Sequence, residues 1–211
     1  MKIYSYVVRY DDGAAPNPFW GYCTLAICKP AIRRVAKVND WVVGTGSKKN
    51  VGDDKLIYAM EITEKMSLLD YGQDKLFGKK IPIGKVGKKS LGDNIYYRDE
   101  LGRIKQRFPS AHSDNCENEE TKAHDLSGVN VLISKTGNFY YFGQSAPKIP
   151  EHLTYLIKRN AGHKCNFPQD IVDSFLKWIQ EWKPGIHGYP CRYSKKSKTC
   201  SRNAGQKCSS N

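Results

Sequence analysis

The sequence has no long uncharged hydrophobic run. Its longest stretch without a charged residue, residues 13–28, contains prolines and glycines and is shorter than the roughly 20 apolar residues that a membrane-spanning helix needs. The apolar run from Ile3 to Val8 ends at Arg9 and has neither the length nor the small-residue cleavage site of a signal peptide. We therefore expect a cytoplasmic protein without a membrane-spanning segment.

Several common enzyme motifs are also absent. The chain has no Walker loop, no G-x-G-x-x-G and no H-E-x-x-H, which argues against P-loop NTPases, Rossmann dinucleotide enzymes and zinc peptidases. His163 and Cys165 are separated by one residue, and His187 and Cys191 by three. Neither spacing is that of a typical zinc site. The sequence therefore predicts no metal site and no cofactor.

Acidic residues are scarce relative to basic ones. The chain has 34 Lys and Arg against 21 Asp and Glu, a net charge of +13. Residues 192–211 hold six basic residues, no acidic residue and few large apolar groups, so we predict that a tail, residues 189–211, is disordered. A basic tail either contacts phosphate backbones or only keeps a protein soluble, and the sequence leaves both readings open.

Basic residues of the remaining chain, residues 1–188, gather in three places, and the third of them is the lysine-rich run at 79–89. One group lies in a predicted short helix, and another follows the G-T-G-S turn at 44–47. Backbone N–H groups in such a turn can bind an anion, although a plain strand-ending turn has the same composition. We predict phosphate binding by Arg33, Arg34, Ser47, Lys48 and Lys49; the alternative is an ordinary surface of mixed charges.

Candidates for acid/base or nucleophilic chemistry are few. Cys23 and Cys28 are far in sequence from His112 and His124, and only folding could make a thiol and an imidazole into a nucleophile and its base. The odd number of cysteines, seven, at irregular spacings favours free thiols over a disulfide framework. Cys23, in an apolar strand, has the character of an inert buried residue.

Two carboxylates complete the candidate catalytic set. Asp125 follows His124 directly, and a carboxylate near an imidazole can orient the ring. Adjacent side chains on a strand point to opposite faces, so this pair needs a loop to act together. Asp40, His124 and Asp125 are therefore the predicted catalytic candidates.

Aromatic and amide side chains recur close to predicted turns. A nucleobase is held by stacking on aromatic faces and by amide hydrogen bonds to its edges. The alternative is that most of the aromatics belong to the core. The predicted nucleobase-binding residues are Asn17, Phe19, Trp20, Trp41, Asn94, Tyr96, Asn130 and Tyr141.

Hydrophobic patterns predict a single α+β domain over residues 1–188. Strands are predicted at 3–9, 22–27, 40–47, 56–62 and 94–98, and two further runs, 129–134 and 138–143, flank a glycine turn as in a hairpin. Helices are predicted at 30–37, 66–77, 150–159 and 168–182. The expected architecture is a mixed, mostly antiparallel curled sheet or a small barrel, with helices toward the C-terminus.

Ten short runs, in this order along the chain, closely resemble the second nucleotide modification associated domain family. The resemblance covers residues 1 to about 182 and implies an association with systems of phages and bacteria that modify DNA bases. It implies no particular reaction. The runs are YSY (4–6), APNPF (15–19), CTLA (23–26), CKP (28–30), IRR (32–34), DWVVG (40–44), GDNIY (92–96), KAHDL (122–126), NVLIS (130–134) and YFG (141–143).

The N-terminal half also resembles, more weakly, the PUA-like group that includes the EVE and ASCH domains. The shared pattern is a strand, a short helix, the D-W-V-V-G strand at 40–44 and the I-Y-A-M-E-I run at 57–62. Those domains are small barrels that bind RNA or modified bases, so this resemblance implies a binding pocket.

Three functions follow from these observations. The first is binding of nucleic acid, DNA rather than RNA, or of a modified nucleotide in an aromatic and amide pocket. The second is an enzyme that modifies or processes a nucleotide or a base in DNA. The third is a phage or host accessory protein that acts through a protein partner.

Overall fold

In the computed structural model, which describes residues 1–84 and 87–192, the strands form three sheets. Seven strand pairs are seen in this part of the chain; two are parallel and five antiparallel. The five-stranded sheet has the order β1 (Ile3–Val7), β3 (Trp41–Thr45), β4 (Leu56–Glu61), β9 (Phe139–Tyr141) and β10 (Gly185–Ile186). The three-stranded sheet has the order β2 (Tyr22–Leu25), β8 (Asn130–Lys135) and β5 (Glu64–Ser67), and β6 (Tyr96–Arg98) pairs with β7 (Ile104–Gln106).

The predicted α+β class with mostly antiparallel strands is thus confirmed. None of the three sheets of the described residues closes on itself, so the barrel alternative is wrong. The predicted hairpin is also wrong, because β8 and β9 belong to different sheets. β8 is hydrogen-bonded to β2 and β5, and β9 to β4 and β10. Both edges of each strand are therefore occupied, and the glycine turn carries the chain from one sheet to the other.

The helices of the described residues are shorter than the sequence predicts, and the helix Glu119–Leu126 is not among the predicted ones. The predicted helix at 66–77 begins as strand β5, and the Ser67 hydroxyl accepts a hydrogen bond from the Asp70 amide and starts α2 only there. The predicted helix at 150–159 is a 3-10 helix, Glu151–Leu156; others are Lys75–Lys80, Lys88–Leu91 and Gly143–Ser145. The α-helices are α1 (Pro30–Val35), α2 (Leu68–Gln73), α3 (Glu119–Leu126) and α4 (Gln169–Ile179).

The three-stranded sheet is a middle layer that is buried on both faces. Cys23 and Leu25 of β2 face the core that contains the five-stranded sheet and α4. On β8, Leu132 faces the same core, whereas Val131 and Ile133 face a second core around α2 and β6. This alternation follows from the two-residue period of a strand. The middle layer consequently fixes the positions of the loops at its edge, where β2 leads into α1.

The C-terminal segment makes hydrogen bonds to the rest of the fold beyond the predicted boundary at residue 188. The Tyr189 carbonyl accepts a hydrogen bond from the Gln144 amide, and the amides of Cys191 and Arg192 donate to Asp11. Residues 189–192 thus contact the rest of the fold, residues 193–211 lie outside the described residues, and the disorder of the tail stays a prediction. No helix of the described chain is long and apolar enough to span a membrane.

Candidate catalytic site

Three side chains from distant parts of the chain form one continuous hydrogen-bonded series. Cys28 Sγ lies 3.5 Å from Nε2 of His112, and Nδ1 of His112 lies 2.6 Å from Oδ2 of Asp125. Cys28 and His112 are 84 residues apart in sequence. The arrangement is that of a cysteine nucleophile, a base and a carboxylate that orients the base. Folding thus brings together one thiol, one imidazole and one carboxylate that the sequence could offer only separately.

Cys28 sits on a strained turn between a strand and a helix. It follows β2 and precedes α1, and its φ of 61° is followed by a φ of 42° at Lys29. Left-handed backbone is costly for residues other than glycine and persists only where surrounding contacts hold it. Here the Cys28 amide donates to Asp125 Oδ1 at 2.7 Å, and the Cys28 carbonyl accepts from Arg33 Nε at 2.7 Å. A sharp strand-to-helix turn also presents the nucleophile in α/β-hydrolases.

Asp125 is completely buried and both of its carboxylate oxygens are used. Oδ1 accepts the Cys28 amide, and Oδ2 accepts from the Tyr96 hydroxyl at 2.8 Å and from His112. The helix that carries Asp125, α3, also positions His112, since the Thr121 hydroxyl donates to the His112 carbonyl at 3.2 Å. The ring and the carboxylate are therefore held by one short helix and its preceding loop.

Arg33 ties the elements of this site together. Its guanidinium is fully buried and donates to the carbonyls of Cys28, Asn130 and Asp125, which lie in the turn before α1, in β8 and in α3. A Cβ at residue 128 would collide with the guanidinium, so glycine at this position leaves room for the enclosed arginine. Burial lowers the pKa of Arg33, while the charge of Asp125 acts in the opposite direction. A side chain enclosed in this way does not fit the predicted phosphate contact.

The titration of the site follows from these contacts. Burial alone would lower the pKa of His112, but its hydrogen bonds to Asp125 and Cys28 outweigh burial and raise the pKa well above its usual value. Burial alone would raise the pKa of Asp125, but the hydrogen bond and charge of His112, with the charge of Arg33, lower it. An imidazole of raised basicity beside a thiol is suited to take its proton, which is the activation that a cysteine nucleophile needs.

The other two predicted catalytic residues lie outside this cluster. His124 is adjacent to Asp125 on α3 but is exposed, because successive residues of a helix point in different directions. Asp40 is buried, and its two oxygens accept the backbone amides of Lys2 and Lys37. Neither His124 nor Asp40 is therefore positioned to act on Cys28.

Two of the predicted nucleobase-binding residues contact the cluster. The Tyr96 hydroxyl donates to Asp125, and the Asn130 carbonyl accepts from Arg33 Nη1 at 2.9 Å. Tyr96 is buried, so its ring has no open face for a base. These two residues therefore hold the candidate site in place through their hydrogen bonds to Asp125 and Arg33.

Asn17 belongs to a buried polar network around Lys80. Its side-chain oxygen accepts from Lys80 Nζ at 2.8 Å and its amide nitrogen donates to the Leu91 carbonyl at 2.7 Å. Lys80 is fully buried, and burial lowers its pKa to about 8 while the charge of Asp93 raises it. Asn17 therefore accepts a hydrogen bond from the buried ammonium group of Lys80. Its side-chain amide is not free to pair with a nucleobase.

Trp41, Asn94 and Tyr141 are each buried in a different environment. Trp41 packs against Tyr140 and edge-on to Phe175 of α4. The Asn94 amide nitrogen donates to the carbonyls of Tyr71 and Phe77, and the Tyr141 hydroxyl donates to Asp11 at 2.5 Å. The predicted amide and aromatic residues thus do not converge on one cleft.

Phe19 and Trp20 form a surface feature of their own. Their rings meet edge to face, and Lys88 Nζ lies 4.8 Å from the centroid of Phe19 and 5.5 Å from that of Trp20. Phe19 is buried, Trp20 is half-buried and Lys88 is exposed. Aromatic faces beside an exposed ammonium group are the elements from which surfaces for single-stranded nucleic acid are built.

The remaining predicted phosphate contacts are dispersed. Arg34 is exposed and donates to the Ser127 carbonyl at 2.7 Å. Ser47 donates through its hydroxyl to the Arg9 carbonyl, and its amide donates to Asn50 Oδ1. Lys48 and Lys49 are exposed on the turn that follows β3. This turn satisfies its amide at Ser47 internally, as a plain strand-ending turn does.

Sequence reasoning raised His112 as a possible base for Cys23 or Cys28 without selecting it as a site residue, and it missed the structural role of Arg33. The loop that carries His112 has no regular pattern, and only the pairing of its ring with Asp125 distinguishes it. Arg33 lies between Ile32 and Arg34 in a basic helix, where the sequence gives no sign that one arginine is buried. Of the cysteines, Cys23, Cys28, Cys165 and Cys191 are free. Cys116 is disulfide-bonded, so the prediction that the cysteines are thiols is wrong for that residue.

Two surface cavities of the described residues lie away from Cys28. One, of about 480 Å³, is bordered by residues 1–3 and 165–169, and the other, of about 430 Å³, by residues 97–101 and Arg103. Both are wide open to solvent. The support for a site at Cys28 therefore comes from its hydrogen-bonded side chains and not from a cavity.

Comparisons with known proteins give one positive finding. No curated protein and no solved structure matches this chain. The family model of the nucleotide modification associated domain 2 matches residues 1–197, more than half of the sequence. The family resemblance of the short sequence runs is thereby confirmed, and the chain belongs to the nucleotide modification associated domain 2 family.

Proposed function

We propose that this protein is a cysteine-dependent enzyme that acts on an acylated group of a nucleotide or of a base in nucleic acid. One observation carries the proposal: Cys28, His112 and Asp125 form a nucleophile, base and orienting carboxylate in hydrogen-bonded series. Membership of the family supports a role connected with nucleotide modification. The scattered burial of the predicted amide and aromatic residues favours an enzyme over a base-binding pocket.

The chemistry follows the roles of the three groups. His112 takes the proton of the Cys28 thiol, and the thiolate attacks the carbonyl carbon of an ester or amide. The bond from that carbon to its leaving group breaks, the electron pair goes to the leaving group, and His112 returns the proton to it. A thioester on Cys28 remains, which water or another nucleophile then opens. Asp125 stays ionised throughout and keeps Nδ1 of the ring protonated.

The proposal predicts unusual reactivity of Cys28. At mildly acidic pH, iodoacetamide should alkylate Cys28 at least about tenfold faster than Cys165, because His112 can take the proton of the Cys28 thiol as it reacts, whereas the Cys165 sulfur hydrogen-bonds to Asn166. Cys165 is a matched internal control, since it is also half-buried and free but its sulfur donates to Asn166 Oδ1 instead of contacting an imidazole. Peptide mass spectrometry after timed labelling would measure both rates in one sample.

Equal alkylation rates of the two thiols would contradict the proposal. Substrates would then be sought by incubating the protein with plain and modified DNA and with free nucleotides, followed by nucleoside mass analysis. A change in nucleoside mass that the Cys28→Ser variant fails to produce would identify the reaction. Unchanged nucleosides across all substrates would count against a nucleotide-linked substrate even if Cys28 were reactive.

A second function, contact with nucleic acid, is supported by the surface of Trp20 and Lys88. The ammonium over the aromatic pair and the net charge of +13 favour binding to a phosphate backbone, with DNA as the preferred polymer and stacking of unpaired bases on Trp20. The Trp20→Ala variant should bind single-stranded DNA about five- to hundredfold more weakly, as expected for the loss of one stacked base.

The control for this binding is Trp182→Ala, which removes a tryptophan that packs on Phe142 and Trp178. Fluorescence anisotropy at low and moderate salt would measure both variants. Affinity that is independent of salt, or equal in the two variants, would contradict the nucleic-acid surface. Recovery of proteins alone in a pull-down would favour the remaining alternative, an accessory protein that acts through a protein partner.

A further inference from the structure

The larger of the two surface cavities, of about 480 Å³, lies between the start of β1 and the segment that leads into α4. Its volume is within the range of about 300–1,000 Å³ that small-molecule sites have. The segment is fixed against β1, because the amides of Ser5 and Lys164 each donate to the carbonyl of the other at 2.8 Å. Neither Cys28 nor His112 borders the cavity. It is therefore a candidate site separate from the catalytic one.

One wall of this cavity is aromatic. Tyr155, of the 3-10 helix Glu151–Leu156, and Phe167 both border it, and their rings meet edge to face with centroids 6.0 Å apart. Lys164 Nζ lies 3.0 Å from the centroid of the Tyr155 ring and donates to the Tyr155 carbonyl at 2.8 Å. The ammonium covers one face of the ring, and half of Tyr155 remains exposed. A ring held in this way offers its other face for stacking.

Two side-chain amides border the same cavity. Asn166 Oδ1 accepts a hydrogen bond from Cys165 Sγ at 3.7 Å, and Gln169 Nε2 donates to Asp173 Oδ1 at 2.8 Å. No hydrogen bond of the described residues uses the other amide atoms, Asn166 Nδ2 and Gln169 Oε1. One donor and one acceptor are thus available to a ligand, and the edge of a nucleobase presents both kinds of group.

The charge around this cavity has one sign. Among the described residues that border it, Lys2 is the only charged one, and Asp173, which contacts Gln169, is not among them. Lys2 is exposed, and the ammonium of Lys164 lies against the Tyr155 ring. Two ammonium groups at a cavity without a bordering carboxylate favour an anionic ligand such as a phosphate.

We propose that this cavity binds a nucleotide, with the base stacked on Tyr155 and hydrogen-bonded to Asn166 and Gln169, and with the phosphate at Lys2. The site is distinct from Cys28, so the inference does not rest on the reaction proposed there. An aromatic face, two amides and a cation border one cavity here, whereas the aromatic and amide residues that the sequence predicts do not. A free nucleotide and an unpaired nucleotide of a nucleic-acid strand share this chemistry.

Cys165 reports whether the site is occupied, because it borders the same cavity and is a free thiol. Alkylation of Cys165 by iodoacetamide would be timed on the full chain at increasing concentrations of each of the four deoxynucleoside monophosphates. At a concentration about ten times the dissociation constant, the rate should fall about tenfold, since only the unoccupied site reacts.

Further ligands separate the parts and the sources of the nucleotide. The unphosphorylated nucleosides and deoxyribose 5-phosphate should each protect Cys165 more weakly than the nucleotides, because each lacks one of the two contacts. Protection by a monophosphate would identify a free nucleotide as a ligand. Protection by a single-stranded oligonucleotide alone would identify the ligand as an unpaired nucleotide within a strand.

Variants of the bordering residues test the assigned contacts. Tyr155→Ala should bind the nucleotide about five- to hundredfold more weakly, the effect of losing one stacked base, and Tyr155→Phe, which keeps the ring, should bind it as the wild type does. Lys2→Gln, at an exposed position, should remove the advantage of the nucleotide over its nucleoside. Circular dichroism would show that each variant is folded.

Trp20→Ala is the control, since Trp20 does not border this cavity and its loss should leave the protection of Cys165 unchanged. The inference would be overturned if no nucleotide or oligonucleotide protected Cys165, or if protection were equal in Tyr155→Ala and the wild type. An unchanged advantage of the nucleotide in Lys2→Gln would likewise contradict it. None of these outcomes depends on the reactivity of Cys28.

Discussion

Replacing Asp125 by asparagine is expected to reduce turnover about ten-thousandfold, the loss seen when the orienting carboxylate of a catalytic triad becomes an amide. Asparagine can offer its NH₂ group to Nδ1 of His112, where Asp125 now accepts a hydrogen bond at 2.6 Å. The ring would then carry its proton on Nε2, the atom that faces Cys28 Sγ. An imidazole in that tautomer cannot take the proton of the thiol.

The measurement does not need the natural substrate. Alkylation of Cys28 at mildly acidic pH should fall to a rate close to that of Cys165 in Asp125→Asn and equally in His112→Gln. The double variant should be no slower than either single variant, since residues that act as one unit are not additive. Glu120→Gln, a change at an exposed position of the same helix, is the matched control. A Cys28 that remains as reactive in Asp125→Asn as in the wild type would contradict the triad.

Replacing Arg33 by methionine is expected to destabilise the fold by about 3–5 kcal/mol, the usual cost of removing one partner of a buried charged pair. The guanidinium satisfies the carbonyls of Cys28, Asn130 and Asp125, and it lies 4.0 Å from Oδ1 of Asp125. Methionine fills a similar volume but donates no hydrogen bond. Three buried carbonyls and one buried carboxylate would lose a partner together.

Arg34→Met is the natural control for this change. Arg34, the next residue of the same helix, has the same charge, but it is exposed and its side chain makes one hydrogen bond, to the Ser127 carbonyl. Its loss should cost less than about 1 kcal/mol. Urea unfolding followed by circular dichroism would give both free energies of unfolding. Equal costs for the two variants would show that Arg33 does not hold the site together.

Both substitutions change the cluster of side chains around Cys28. Asp125→Asn tests the reactivity of the thiol, and Arg33→Met tests the stability of the fold. Asp125 is hydrogen-bonded both to the group that would activate the thiol and to the backbone of the thiol residue itself. Arg33 secures the same turn from its carbonyl side. The left-handed backbone of Cys28 and Lys29 is consequently held by contacts from α1 and α3. A nucleophile on a strained turn requires such support, because the turn would otherwise relax.

Several features of the fold follow from the sequence by local rules. The alternation of β2 and the buried strand β3 match the predicted strands, and the apolar stripe of α4, with Phe175, Trp178 and Ile179 buried, matches the strongest predicted helix. These elements have hydrophobic periods that neighbouring residues alone determine. The α+β class and the family membership could also be predicted from the sequence alone.

Other features depend on contacts that no local rule contains. The runs that flank the glycine turn before β9 have the composition of a hairpin, yet competing strands occupy both edges of each. Tyr141 and Trp41 are residue types that bind nucleobases, yet both rings are buried in the core. Composition reports which contacts a side chain can make, and packing decides which of them it makes.

The sequence by itself determined the elements, the positive charge and the family, and it offered Cys28, His112 and Asp125 only as separate candidates. The tertiary structure alone decided that these three meet, that His124 does not join them, and that Arg33 is buried while Arg34 is exposed. The physical reason is the length of chain between the partners: hydrogen bonds across 84 and 97 residues depend on how the middle sheet and α3 pack.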